Sequence, residues 1–186
     1  MKKIVSLIIG FVLIATTSLV NANDQVELLI LRSKHQLIVK KEGVVLQTFK
    51  VAFGSGGKKA KLRSGDHTTP KGSYKISDVR TSDRFHLFIQ LNYPNVNDAT
   101  RALKEKLIDR DEFRAIIAAH HNGKLPPQNT ALGGAIGIHG IGHETQDKIE
   151  IHQIADWTKG CIAMRNHEIE VLSRYIDTNT QIHIID

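Results

Sequence analysis

Cysteine is almost missing from this 186-residue chain: Cys161 stands alone. A lone thiol forms no internal disulfide, so the chain is not a disulfide-stapled scaffold and depends on an apolar core. Aromatic residues make up 5% of the sequence, with one tryptophan. With so few rings and with scattered lysines, the chain does not read as a nucleic-acid binder. Beyond residue 20 no uncharged apolar run is long enough to span a bilayer. A phosphate loop is also lacking. Gly54-Ser55-Gly56-Gly57-Lys58-Lys59 has the wrong spacing and no helical pattern behind it, so it reads as a flexible turn. There are no internal repeats and no low-complexity tract.

What is present begins at the amino terminus. Met1-Lys2-Lys3 is basic, Ile4 to Val20 is apolar and uncharged, and Val20-Asn21-Ala22 has small residues at a cleavage-site spacing. This is the layout of a secretory signal, with cleavage expected after Ala22. Residues 1–22 are therefore expected to be a signal peptide and 23–186 one exported domain, meeting the membrane only through the uncleaved signal. The overall formal charge of +6 fits an anionic polymer as neighbour, although solubility alone accounts for it.

The first half reads as strands. Val26 to Leu31, His35 to Lys40 and Val44 to Phe53 are apolar or alternating, and Lys41-Glu42-Gly43 fits a hairpin turn between the last two. Gly65 to Gly72 is dense in turn formers, and Asp66 reads as an Asx turn. Tyr74 to Val79 and Phe85 to Leu91 are further strands. From about 95 to 130 the apolar spacing becomes helical, which predicts a two-helix insertion that flanks or lids a cleft. Gly134 to His139 returns to an extended pattern. Asn166 fits the cap of a helix in the C-terminal region, and Gln181 to Ile185 closes as a strand. The fold class expected is mainly β with these helices added.

Cys161 lies 22 positions after His139, which sits in Ile138-His139-Gly140. A thiol and a separated histidine are a candidate nucleophile and base. An imidazole that takes the thiol proton leaves a thiolate–imidazolium pair. Gly140 and Gly160 permit close backbone approach, and amides around Gly160 could face an oxyanion. Free cysteine is also among the most buried residue types. The residues alone leave the nucleophile and the buried structural thiol equally open.

Ile138-His139-Gly140 followed by Thr158-Lys159-Gly160-Cys161-Ile162-Ala163-Met164 resembles the signature of the YkuD-type L,D-transpeptidase family. Gly65-Asp66-x-x-Thr69-Pro70-x-Gly72-x-Tyr74 resembles its other recurrent block. The resemblance implies a β-sandwich-like domain, a Cys161 nucleophile and a His139 base oriented by the backbone carbonyl of Gly140. It implies peptidoglycan stem peptides as substrate, a thioacyl-enzyme, and an amine or water as acceptor, with no metal and no cofactor. Phe85-His86-Leu87, Leu91-Asn92-Tyr93-Pro94-Asn95 and the insertion resemble the YafK-like branch, which adds a wall-attached lipoprotein as partner and a periplasmic location. Two features depart from the family: Ala163 stands where many members carry Arg or Asn, and the gap before Thr158 is slightly long. A hydrolase on the same site and a non-catalytic wall-binding module are the competing readings.

Other residues carry two readings each. Thr158 is a donor to thiolate or substrate, or a strand-end residue. Arg165 is a carboxylate ligand or a solvated residue before the last helix. His120 lines the cleft or caps its helix. Trp157 reads as core rather than as a substrate platform. His139, His143 and Glu144 do not fit a zinc site, because Gly140 and Gly142 break the helix that would align them.

Overall fold

Leu28 and Ile30, Leu37 and Val39, and Ile182 and Ile184 are fully buried pairs two residues apart, the spacing that sets side chains on one face of a strand. They lie in β1 (Val26–Leu31), β2 (Gln36–Lys41) and β8 (Gln181–Ile185). The computed structural model describes residues 25–186. The segment read as an export signal lies outside the described residues. The remaining strands are β3 (Val44–Lys50), β4 (Gly72–Ser82), β5 (His86–Leu91), β6 (Gly137–Gly140) and β7 (Ile162–Met164). Glu42 and Gly43, at the β2–β3 turn, both have positive φ (51° and 78°), the backbone that a tight hairpin needs.

The sheet order is β3-β2-β1-β8-β4-β5-β6-β7. Two pairs are parallel, β1 with β8 and β6 with β7. β4 makes the corner. Gly72 to Lys75 pairs with β8, Ile76 to Ser82 pairs with β5, and a bulge falls between Ile76 and Asp78. A bulge bends and twists a strand, so one sheet folds over its own core. Its far ends then meet: Ala52 and Ala163 exchange backbone hydrogen bonds of 2.9 and 2.8 Å. The mainly β expectation holds, in a barrel-like form that joins the sheet's edges.

The expected insertion is there as α1 (Val96–Lys104) and α2 (Arg110–His121). Asn95 and Asp109 cap the two helices, each in a reciprocal capping box, which satisfies amides that have no partner inside the helix. Ala99, Ala102, Ile108, Ile116 and Leu132 form a small core of their own. Two buried tyrosines tie it to the sheet. Tyr74 donates to Asp98 at 2.9 Å and Tyr93 to the Leu132 carbonyl at 3.0 Å.

Two helices follow the insertion. α3 (Gln146–Ile154) escapes sequence reading because it lacks an apolar stripe: Ile154 is 84% exposed and His152 is its one buried residue. α4 (Asn166–Ser173) is where the sequence placed it, but its cap is Arg165, whose amide donates to Glu168 at 3.0 Å. Asn166 has another task, described below. Among the described residues no helix is long and apolar enough to cross a membrane.

The turn-rich block is organised by Asp66. Its carboxylate accepts from the amides of Leu62, Arg63 and Thr68 and from the Lys61 ammonium at 2.8 Å. Burial acts to raise its pKa, but the Lys61 bond and the three amides prevail and hold it at about 2. Its stabilising contribution is thus present above pH 3.8 and is lost as the pH falls through about 2. The Lys61 side chain is only 3% exposed, so Asp66→Ala strands a buried ammonium. That substitution is expected to cost about 3 kcal/mol, seen as an earlier denaturant midpoint with an unchanged slope.

Candidate active site

In the parallel β6–β7 pair, Ile138 lies beside Ile162 and His139 beside Ala163. One step back, Cys161 falls beside Gly137. Ile138 and Ile162 both point into the core with no exposure. Side chains alternate along a strand, so Cys161 and His139 stand diagonally on the other face. There they line one cleft of about 540 Å³. The pairing of distant segments thus unites the thiol and the imidazole that the sequence singled out.

The imidazole is held in one tautomer. Its Nδ1 lies 2.8 Å from the Gly140 carbonyl. A carbonyl only accepts, so Nδ1 carries the hydrogen and Nε2 keeps its lone pair. Aromatic rings surround it. The Phe85 centroid is 4.1 Å away, Phe88 is near-parallel at 6.3 Å, and Trp157 presents an edge at 5.9 Å. Burial among them pushes the His139 pKa down to about 4, with the Arg84 charge adding to the shift.

The thiol is partly buried and donates to the Ala135 carbonyl at 3.4 Å. Ala135 has φ of +51°, a left-handed backbone that costs a non-glycine residue roughly 1–2 kcal/mol. Gln128 holds it there by accepting from its amide at 2.7 Å. Burial pushes the Cys161 pKa up. Burial therefore acts against a thiolate–imidazolium pair at rest. Desolvation disfavours both charged forms, which favours a neutral thiol and a neutral imidazole before substrate arrives.

Two threonines staple the turn that carries Cys161. The Thr158 hydroxyl donates to the Cys161 carbonyl at 2.6 Å and accepts from the Gly160 amide at 3.1 Å. The Thr69 hydroxyl donates to the same carbonyl at 3.4 Å and accepts from the Gly54 amide at 2.9 Å. Thr158 is thus a scaffold residue beneath the thiol as well as part of the cleft lining. The Gly160 amide, expected to face an oxyanion, is engaged with the Thr158 hydroxyl. The lack of a side chain at Gly160 is what matters. With φ at +121°, a Cβ there would stand 2.9 Å from the Thr68 carbonyl oxygen. The two recurrent sequence blocks are therefore one structure, the second block bracing the first.

Asn166 locks the loop that follows His139. Its side chain accepts from the Gly142 amide at 3.1 Å and donates to the Gly142 carbonyl at 2.6 Å. Glu144 accepts from the Asn166 amide at 2.9 Å and from two Arg165 nitrogens at 3.1 and 3.0 Å. The Arg165 bond holds the Glu144 carboxyl below its usual range. Arg165 therefore clamps a loop and is not among the residues lining the cleft, which corrects its reading as a substrate ligand. His120 is also elsewhere. Its Nε2 donates to the Pro94 carbonyl at 2.8 Å, and neither α1 nor α2 reaches the cleft lining. The insertion instead borders a separate groove of about 670 Å³ with the 56–68 loop.

The cleft also contains residues the sequence reading passed over: Arg80, Arg84, Phe88 and Ala135, with Trp157 as a wall rather than core. The usable signal was the charged hairpin tip Arg80-Thr81-Ser82-Asp83-Arg84. Nothing in its spacing says where it reaches, because β5 joins β6 across some fifty residues of chain (Phe88 with His139). Among the described residues no cluster of three or more His, Cys, Asp or Glu could hold a metal ion.

A thiol and a carbonyl-oriented imidazole that line one cleft of a sheet closed on itself make a candidate cysteine–histidine site on a mainly β scaffold. The chain belongs to the YkuD family, the L,D-transpeptidase catalytic domain, whose model matches residues 25–184. Its fold is shared with Bd1075 of Bdellovibrio bacteriovorus (TM-score 0.55, 20% identity, 88% of this chain and 48% of that one). It is shared likewise with the helical cell shape determining protein Pgp2 of Campylobacter jejuni (TM-score 0.56, 19% identity, 87% and 48%). An L,D-transpeptidase from Stackebrandtia nassauensis is similar at TM-score 0.51 and 12% identity, over 89% of this chain and 57% of that one. The chain spans about half the length of the first two. Against curated protein sequences it finds no match.

Proposed function

We propose that the protein is an exported cysteine acyl-transfer enzyme of the bacterial wall, with residues 1–22 as signal and the periplasm as workplace. The substrate is a peptidoglycan stem peptide, attacked at the carbonyl of an L-configured centre. Cys161 Sγ attacks while its proton passes to His139 Nε2. The carbon–nitrogen bond to the leaving amine breaks, and Nε2 returns the proton to that amine. A thioester remains on Cys161. A second amine, or water, then attacks it, giving its proton to Nε2 and restoring the thiol. With the Gly160 amide engaged, we assign the Cys161 amide to the developing oxyanion.

One observation carries this reading: the Gly140 carbonyl fixes His139 with its free nitrogen available in the cleft that holds the thiol. Starting from neutral partners is compatible with it, since a general base has only to accept the proton as the bond forms. Family membership supports the substrate class. Purified protein incubated with muropeptides, with and without an amine acceptor, tests the proposal. Acceptor-dependent cross-linked products support transfer. Cleaved products indifferent to the amine support a hydrolase, and binding without turnover supports a wall-binding module.

A further inference from the structure

Three cations line the cleft, Arg80, Arg84 and Lys159, and no acidic side chain does. Their engagements differ. Arg80 is taken: it bonds the Gln90 side chain at 2.8 Å and pairs with Asp78. Arg84 makes no ion pair among the described residues, and neither does Lys159. The Arg84 guanidinium lies over the Phe85 ring, 4.8 Å from its centroid, and that ring packs on His139 at 4.1 Å. Stacking through its face leaves the in-plane N–H edge of a guanidinium free for a bidentate partner. Lys159 stands two residues before the thiol, on the loop entering β7. The neighbouring Asp83 belongs to a different depression, with His86 and His143. Ala163 offers no polar group, and it is fully buried at the seam with Ala52.

We propose that Arg84, with Lys159, binds a free carboxylate of the acyl donor and so selects donors whose attacked residue is acidic and not amidated. The donor chemistry rests on the thioacyl reading above; the anion site does not. The arrangement has a kinetic consequence. The Arg84 charge weakens His139 as a base, and a carboxylate seated on Arg84 offsets that charge. Occupied by the right donor, the site holds a stronger base than the empty one.

The site is tested apart from turnover by alkylating Cys161 with iodoacetate, an anion, and iodoacetamide, its neutral counterpart. Sulfur–carbon bond formation expels iodide in both, and the thiol proton goes to buffer. Relative to a small free thiol, the wild-type protein is expected to favour iodoacetate by about tenfold at low salt, the scale of local anion enrichment. The preference falls with added salt. Arg84→Gln removes it, Arg84→Lys retains part of it, and Arg114→Gln, at an exposed position of α2 outside the cleft lining, leaves it unchanged. In turnover, Arg84→Gln is expected to raise KM for a free-carboxylate donor about tenfold with little change in kcat, and to abolish discrimination against the amidated donor. An iodoacetate ratio that is the same in wild type and Arg84→Gln overturns the anion site, whatever the enzyme turns over. A ratio that responds to Arg84 in a protein inert towards every stem peptide upholds the site and overturns the donor assignment.

Discussion

Cys161→Ala protein is expected to lose turnover by roughly 10⁴- to 10⁶-fold, the range seen when a nucleophile is removed from a cooperating site. The fold should be unaffected. The cysteine turn is held through its backbone, by the Thr158 and Thr69 hydroxyls on the Cys161 carbonyl, and alanine keeps that carbonyl. The bonds lost are weak sulfur contacts, the 3.4 Å one to the Ala135 carbonyl and one from the Gly137 backbone. A stability change within about 1 kcal/mol is expected. Thermal denaturation of both proteins checks this, and equal midpoints with unequal activity separate chemistry from folding. A variant that keeps turnover would falsify the covalent route.

Removing the imidazole gives the second large effect, and its pH dependence is more informative than its size. His139→Ala is expected to lower kcat by about 10²- to 10⁴-fold. In the wild type the base must be neutral. Its pKa is pushed down to about 4 by burial among Phe85, Phe88 and Trp157. Protonation therefore begins only well below the usual histidine range. Activity should climb through about pH 4 and then stay level across neutrality. Without His139 the thiol must ionise by itself, and burial raises its pKa. The residual rate of His139→Ala should therefore keep rising with pH beyond the point where the wild type is flat. An acid limb near 6.5 in the wild type would mean a solvated histidine and no aromatic box. The same burial links to stability. A neutral His139 favours the folded state fully above pH 6.5, and this contribution is lost as the pH falls towards about 4.

Sequence and structure agree best where one strand's pattern decides the matter. Apolar or alternating runs marked β1, β2 and β8, and the Lys41-Glu42-Gly43 turn marked the hairpin of β2 and β3. Helical spacing of apolar residues marked α1 and α2. The thiol and the histidine were legible because cysteine is so scarce and because the residues around both resemble one family. Their union is non-local: it depends on the β6–β7 register, which no local pattern encodes. For three residues the sequence named the chemistry and not the partner. Arg165, His120 and Gly160 each carry a polar group suited to a cleft, yet each spends it on a neighbour: Glu144, the Pro94 carbonyl and Thr158. Side-chain partners across tens of residues decide such matters, and composition is silent about them. The basic hairpin tip bearing Arg84 is the opposite case, an ordinary charged turn in sequence that pairing of β5 with β6 carries to the thiol.

The most direct measurement is intact-protein and peptide mass spectrometry after brief exposure to stem peptide. Tryptic cleavage after Lys159 and Arg165 releases a six-residue peptide from Gly160 to Arg165, which contains the thiol and no other nucleophilic side chain. Expected is an acyl mass increment on that peptide, discharged by an amine, absent in Cys161→Ala and slow to form in His139→Ala. Turnover with Cys161 persistently unmodified under single-turnover conditions, or an increment on any other residue, contradicts a thioester on Cys161.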